Sequence, residues 1–142
     1  MIQLIVGEKG KGKTKVLLEK VGEAAASAKG NVVFIDKDMS HIYEVKNTVR
    51  LINSSDYGIS SPDEFKGFIS GIMSADHDLE DLFIDRFLLV SYQKDKDKDE
   101  VAESLRKIEE LSNKSDVKIT VSLSMTKEQL PADLQDKVLV AL

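Results

Sequence analysis

The chain has 142 residues, about one domain's worth, and its 42% hydrophobic and 32% charged residues describe a folded globular protein. It has no cysteine and only two histidines, His41 and His77, which excludes disulfides and thiolate metal sites and argues against structural zinc. Twenty-five acids against twenty bases leave a net charge of −5, so nucleic-acid binding through bulk charge is not expected.

The sequence opens on a continuous apolar run, Ile2 to Val6, which predicts a strand covered on both faces. No signal peptide precedes it and no apolar run approaches the ~20 residues of a membrane span, so a cytoplasmic location without membrane contact is expected. Residues 7–14, Gly-Glu-Lys-Gly-Lys-Gly-Lys-Thr, are too glycine-rich for a regular element and predict a loop. A helix follows, with Leu17, Val21, Ala24, Ala25 and Ala28 on one face and Gly30 as its C-terminal glycine. Asn31 to Asp36 is a second buried strand ending in an acid. A polar segment with a short helix, His41 to Lys46, leads to a weaker strand at Val49 to Ile52.

Ser61-Pro62-Asp63-Glu64 is a capping box with proline at the first helical position, and Phe65, Phe68, Ile69, Ile72 and Met73 form the stripe behind it. Leu82 to Asp85 is a fourth strand, again ending in aspartate. Residues 93–100 form a solvated charge run, after which Val101, Leu105, Ile108 and Leu111 mark a helix. Val117 to Leu123 is a fifth strand, Thr126 to Gln129 opens a short helix that Pro131 helps end, and Val138 to Leu142 is a sixth strand. With no repeat and no linker, residues 1–142 read as a single domain, and strands alternating with helices predict a parallel α/β sheet with right-handed crossovers.

Gly7 to Thr14 matches G-x-x-x-x-G-K-[ST] at every fixed position, with a strand before it and a helix starting at Lys13. Glycines permit backbone angles that let successive N–H groups face phosphate oxygens, and the helix N-terminus adds partial positive charge. Gly7, Glu8, Lys9, Gly10, Lys11, Gly12, Lys13, Thr14 and Lys15 are therefore the expected nucleotide-binding residues. In such a loop Lys13 reaches the β- and γ-phosphates and the Thr14 hydroxyl binds Mg²⁺. Five lysines lie within residues 9–20.

This loop and its flanking elements, residues 1–28, resemble the P-loop NTPase superfamily. A Mg²⁺ site needs an acid at the end of a neighbouring strand; Asp36 and Asp85 both stand so, and Asp85, about 70 residues past the loop, suits the RecA-like branch better. That branch carries its water-orienting acid just past the second strand, where this chain has Asp38 in place of the usual glutamate. Arg86 follows Asp85, so the alternative placement of a catalytic glutamate is empty. The resemblance implies a three-layer α/β/α fold with a mostly parallel six-stranded sheet in the order 3-2-4-5-1-6. It implies a protein that binds Mg²⁺ and ATP and hydrolyses ATP slowly, with Asp38 and Lys13 catalytic and Thr14 and Asp85 on the metal. Ser122 and Ser124, on the fifth strand and just past it, are placed to sense the γ-phosphate.

Two alternatives stay open: a nucleotide-gated interaction module without turnover, and a small-molecule kinase. The run at 93–100 holds none of the arginines that a kinase lid usually supplies. Asn113-Lys114-Ser115-Asp116 matches the guanine-reading tetrapeptide N-K-x-D but precedes a strand instead of following one, which argues against a GTPase. Arg86, near the nucleotide end of the sheet, is read as a surface arginine in preference to a phosphate partner in its own site or a finger for a neighbouring subunit, and His41 and His77 are assigned no role. Since the core uses nearly the whole sequence, a protein partner or a second copy of the chain is expected to supply what the nucleotide acts on.

Overall fold

The computed structural model describes residues 1–142. Its centre is one six-stranded sheet of β1 (Ile2–Val6), β2 (Asn31–Asp36), β3 (Val49–Asn53), β4 (Leu79–Ile84), β5 (Lys118–Leu123) and β6 (Val138–Ala141). The order is β3-β2-β4-β5-β1-β6 and every pairing is parallel, which matches the expected order and makes the sheet wholly parallel. Five helices complete it: α1 (Lys13–Ser27), α2 (Pro62–Ala75), the single-turn α3 (Phe87–Val90), α4 (Lys98–Ser115) and α5 (Ala132–Gln135). No helix is long and apolar enough to cross a membrane.

Alternation along the strands creates the three layers, because successive side chains of a strand point to opposite faces. On β1, Ile5 joins Leu17 and Val21 of α1, together with Val32, Phe34 and Phe83. Leu4 and Val6 face the other way and join Phe65 and Ile69 of α2 and Leu105 and Ile108 of α4. Leu17 is fully buried, as are Ile5 and Leu4, and each such side chain contributes about 1.5–3 kcal/mol. Neither face of the central strands can be left uncovered, and that is why the buried stretches of β1, β2 and β4 read as largely apolar runs.

The strand ends are in register. Ile35 pairs with Ile84, Ile84 with Val121, and Val6 with Leu123. The residues just past β1, β2, β4 and β5 therefore share one rim of the sheet. Ligands of open α/β sheets bind at that rim, beyond the carboxyl ends of the strands.

Four local expectations change. Gly30 does not end α1 in a left-handed cap; the helix stops at Ser27 and Ala28 is extended. Glycine is needed there for close approach, since a Cβ would lie 2.1 Å from the Asp78 carbonyl oxygen. The short helix expected from Thr126 is one 3₁₀ turn, Lys127–Gln129, closed by a Thr126–Gln129 capping box; it stops at the extended Leu130 before Pro131, which then leads into α5. The short helix expected at His41 to Lys46 is a 3₁₀ turn at Ile42–Glu44. α3 was not anticipated: Phe87 and Val90 are fully buried, and Phe87 meets Phe65 edge-on at 6.1 Å. The α2 cap forms, with the Glu64 N–H donating to Ser61 Oγ at 3.1 Å; the Glu64 carboxylate accepts from the Ser60 N–H, one residue earlier than a reciprocal box requires.

Candidate nucleotide and metal site

The loop from Gly7 to Gly12 leaves β1 at the rim and turns directly into α1. Gly12 occupies the N-cap position at φ 93°, and Gly10 has φ 85°. A side chain at either would be strained, so glycine is what allows so tight a turn. The consequence is a row of unused donors: no backbone N–H from Glu8 to Lys15 donates to an acceptor within the protein, and the first bond of the helix runs from Val16 to Gly12. Polar groups in such number ordinarily find partners. Here they sit at the positive end of a 15-residue helix with no acid in its first turn.

Lys13 is 8% exposed and its ammonium donates to the Glu8 carbonyl at 2.9 Å, folding across the loop. Burial pulls its pKa below the usual lysine range, against the pull of the Asp85 carboxylate. Thr14, one residue on, donates its hydroxyl to Asp85 Oδ2 at 2.9 Å, tying α1 to the end of β4. Asp85 is fully buried, and its other oxygen accepts from Ser122 Oγ on β5. The Arg86 N–H donates to that same Ser122 oxygen at 2.7 Å. Ser122 is thus committed to positioning Asp85, whereas Ser124 is exposed.

Lys9, Lys11 and Lys15 are exposed around the loop and Glu8 contributes its carbonyl, so the whole predicted set from Gly7 to Lys15 lies along this segment. Asp38 stands apart. It lies past β2 with its side chain 52% exposed, in a turn where it accepts from the Ser40 N–H at 2.9 Å. Hydrogen bonds from Ser40, and then the Arg86 guanidinium, hold its carboxyl down to about 2.

Sequence reasoning missed the partners of Arg86 and the companions of Asp36. Arg86 is no ordinary surface arginine. Its backbone is left-handed (φ 51°), and its guanidinium grips Asp36 Oδ1 through Nη2 at 2.6 Å and Nε at 3.0 Å while Nη2 also reaches Asp38 at 3.2 Å. Asp36 is fully buried, and burial pushes its carboxyl above the usual range despite the pull of Arg86 and the Lys37 N–H. Two strand-end acids, which read as rival metal ligands, therefore belong to one cluster. His41 enters it as well, with a ring nitrogen within 4.8 Å of carboxylate oxygens of both Asp36 and Asp85. Its place in a polar segment gave no sign of this, and only acids at neighbouring strand ends hinted at a cluster. The N-K-x-D tetrapeptide lies at the far rim, where Asn113 accepts from the Met1 amino group at 2.8 Å, and takes no part.

No protein-family model matches the chain, and no curated protein matches it.

Proposed function

We propose that the chain is a P-loop protein of RecA-like type that binds Mg²⁺ and a nucleoside triphosphate, by expectation ATP, at the rim formed by residues 7–15 and Asp85. The observation that carries this reading is the run of unpartnered N–H groups from Glu8 to Lys15 at the N-terminus of α1. A chain of donors with the helix dipole behind it suits a polyphosphate. Lys13 exchanges the Glu8 carbonyl for a phosphate oxygen, an exchange of a neutral partner for a charged one.

A Mg²⁺ ion accompanying the nucleotide fits the donor set, because Thr14 and Asp85 converge within 2.9 Å and offer hard oxygens only. Its chemistry there is to neutralise charge on the phosphates. Ser122 keeps the Asp85 carboxylate aimed at Thr14. Asp38 is the acid that the resemblance puts in the water-orienting place, and its commitment to Ser40 and Arg86 favours slow turnover. The same commitment supports the second reading, a nucleotide-gated interaction module that does not hydrolyse at all.

Thermal unfolding with Mg²⁺ and ATP, ADP or GTP, followed by phosphate release, separates these readings. Binding raises the midpoint for the native chain and not for Lys13→Ala. Stabilisation without phosphate release retains the module and removes the ATPase. If no nucleotide stabilises the chain, both readings fall.

A further inference from the structure

Around Asp36 the geometry points beyond the nucleotide. Asp36 at the end of β2, Asp85 just past β4 and His41 before the 3₁₀ turn each bring one ligand atom within 4.8 Å of the other two. Asp36 and Asp85 are both fully buried, so this is not a chance crowding of surface acids. The two oxygens of Asp36 differ. Oδ1 is saturated by Arg86 Nε, Arg86 Nη2 and the Lys37 N–H, whereas Oδ2 is buried and has no hydrogen-bond partner at all. A buried carboxylate oxygen without a partner is rare in folded proteins and calls for one. Holding one oxygen by outer donors while the other stays free is how ligating carboxylates are oriented.

The histidine is arranged to match. His41 Nδ1 lies 2.5 Å from Glu44 Oε2. An ionised carboxylate only accepts, so Nδ1 carries the proton, and in the neutral ring the lone pair sits on Nε2. A carboxylate behind a histidine is the usual support of a metal-ligating imidazole. The half-buried ring lets Nε2 act without full desolvation.

We propose that Asp36, His41 and Asp85 form a site for a first-row divalent transition-metal ion, with Glu44 orienting the imidazole and Arg86 orienting Asp36. One imidazole with two carboxylates suits Mn²⁺, Co²⁺ or Zn²⁺ better than Mg²⁺, which prefers an all-oxygen shell and keeps its waters. Three protein ligands leave open positions for water or a phosphate oxygen. The site shares Asp85 with the nucleotide reading but depends on neither Lys13 nor nucleotide.

The test uses the untagged full chain with metal alone, at pH 7.5 and without nucleotide. Isothermal titration with Zn²⁺ and Mn²⁺, and the visible absorption of added Co²⁺, are measured for the native chain and variants whose circular dichroism is unchanged. One ion binds the native chain, and Mg²⁺ does not displace it at equal concentration. Glu44→Ala weakens it about 10-fold, the low end for losing an outer-shell carboxylate, and His41→Ala weakens it further. His77→Ala binds as the native chain does. Unchanged binding in His41→Ala overturns the proposal, as does loss in His77→Ala, or absence of binding at millimolar metal. Failure of nucleotide binding would leave these outcomes untouched.

Discussion

Replacing Arg86 by methionine keeps the buried stem and removes the charge that faces Asp36. The Asp36 side chain is 1% exposed and its only cationic hydrogen-bond partner is Arg86. Stripping a fully buried ion of its partner costs about 3–5 kcal/mol. Here the guanidinium side of the pair is 38% exposed, so water already screens part of the attraction. The Lys37 N–H also continues to donate to Oδ1 at 2.7 Å. The expected loss is therefore about 2 kcal/mol, near the value of one hydrogen bond to a charged group. For a chain of this size that lowers the midpoint by about 4–8 °C. Urea denaturation at pH 7.5 of the native chain, Arg86→Met, Asp36→Asn and the double variant measures the coupling directly. With asparagine at position 36 no buried charge remains to be orphaned, so Arg86→Met should then cost less than about 1 kcal/mol. An equal cost in both backgrounds would refute the argument, because the loss would then come from packing of the arginine stem.

Gly30→Ala should destabilise by about 1–3 kcal/mol in denaturant melts, since the new Cβ meets a backbone oxygen at 2.1 Å that can yield only by moving the start of β4. Burial, more than Glu80, raises the Asp81 carboxyl above its usual value, against the attraction of Lys118. A raised acid binds its proton more readily folded than unfolded, so its ionised form weakens the fold at neutral pH. That penalty fades as pH falls through the folded pKa towards the unfolded one. Asp81→Asn should accordingly raise the midpoint at pH 7, with the gain gone by about pH 3.5. If the chain hydrolyses ATP, Asp38→Asn should slow phosphate release about 10²-fold or more while leaving nucleotide-dependent stabilisation intact.

The sheet was legible because its strands carry their burial in the sequence. Ile2–Val6, Val32 to Ile35 and Leu82 to Ile84 put apolar side chains on both faces, which a sheet covered by helices on both sides accommodates; β4 begins three residues before the expected Leu82, at Leu79, because Glu80 and Asp81 interrupt its apolar run. Each strand is followed by turn residues or a helix, and the strand order expected from the resemblance is the order observed. The elements that differ are those decided by contacts between distant residues. Gly30 is required by the Asp78 carbonyl, 48 positions away in the chain, and the burial of α3 depends on Phe65 across the core. Neither has a local signature, because propensity within a few residues is silent about which backbone will arrive from elsewhere.

The glycine-rich loop and the acid cluster show the same division within the candidate site. Gly7 to Thr14 is legible as a tight loop running straight into a helix because that geometry is set by adjacent residues, with Gly10 and Gly12 taking the positive φ angles. The Asp36, Asp38, His41, Asp85 and Arg86 cluster is assembled by parallel register. Ile35 pairs with Ile84, and the residues beyond the two strands are brought face to face although they stand 44 or more positions apart in sequence. Read one strand at a time, Asp36 and Asp85 compete for a single role and Arg86 looks like a solvated arginine. Read across the register, Arg86 is the charge that offsets buried Asp36, while Thr14 and Ser122 hold Asp85 beside it. One oxygen of Asp36 is still left without a partner. That unbalanced oxygen, more than the loop, is where this rim departs from what a nucleotide alone would require.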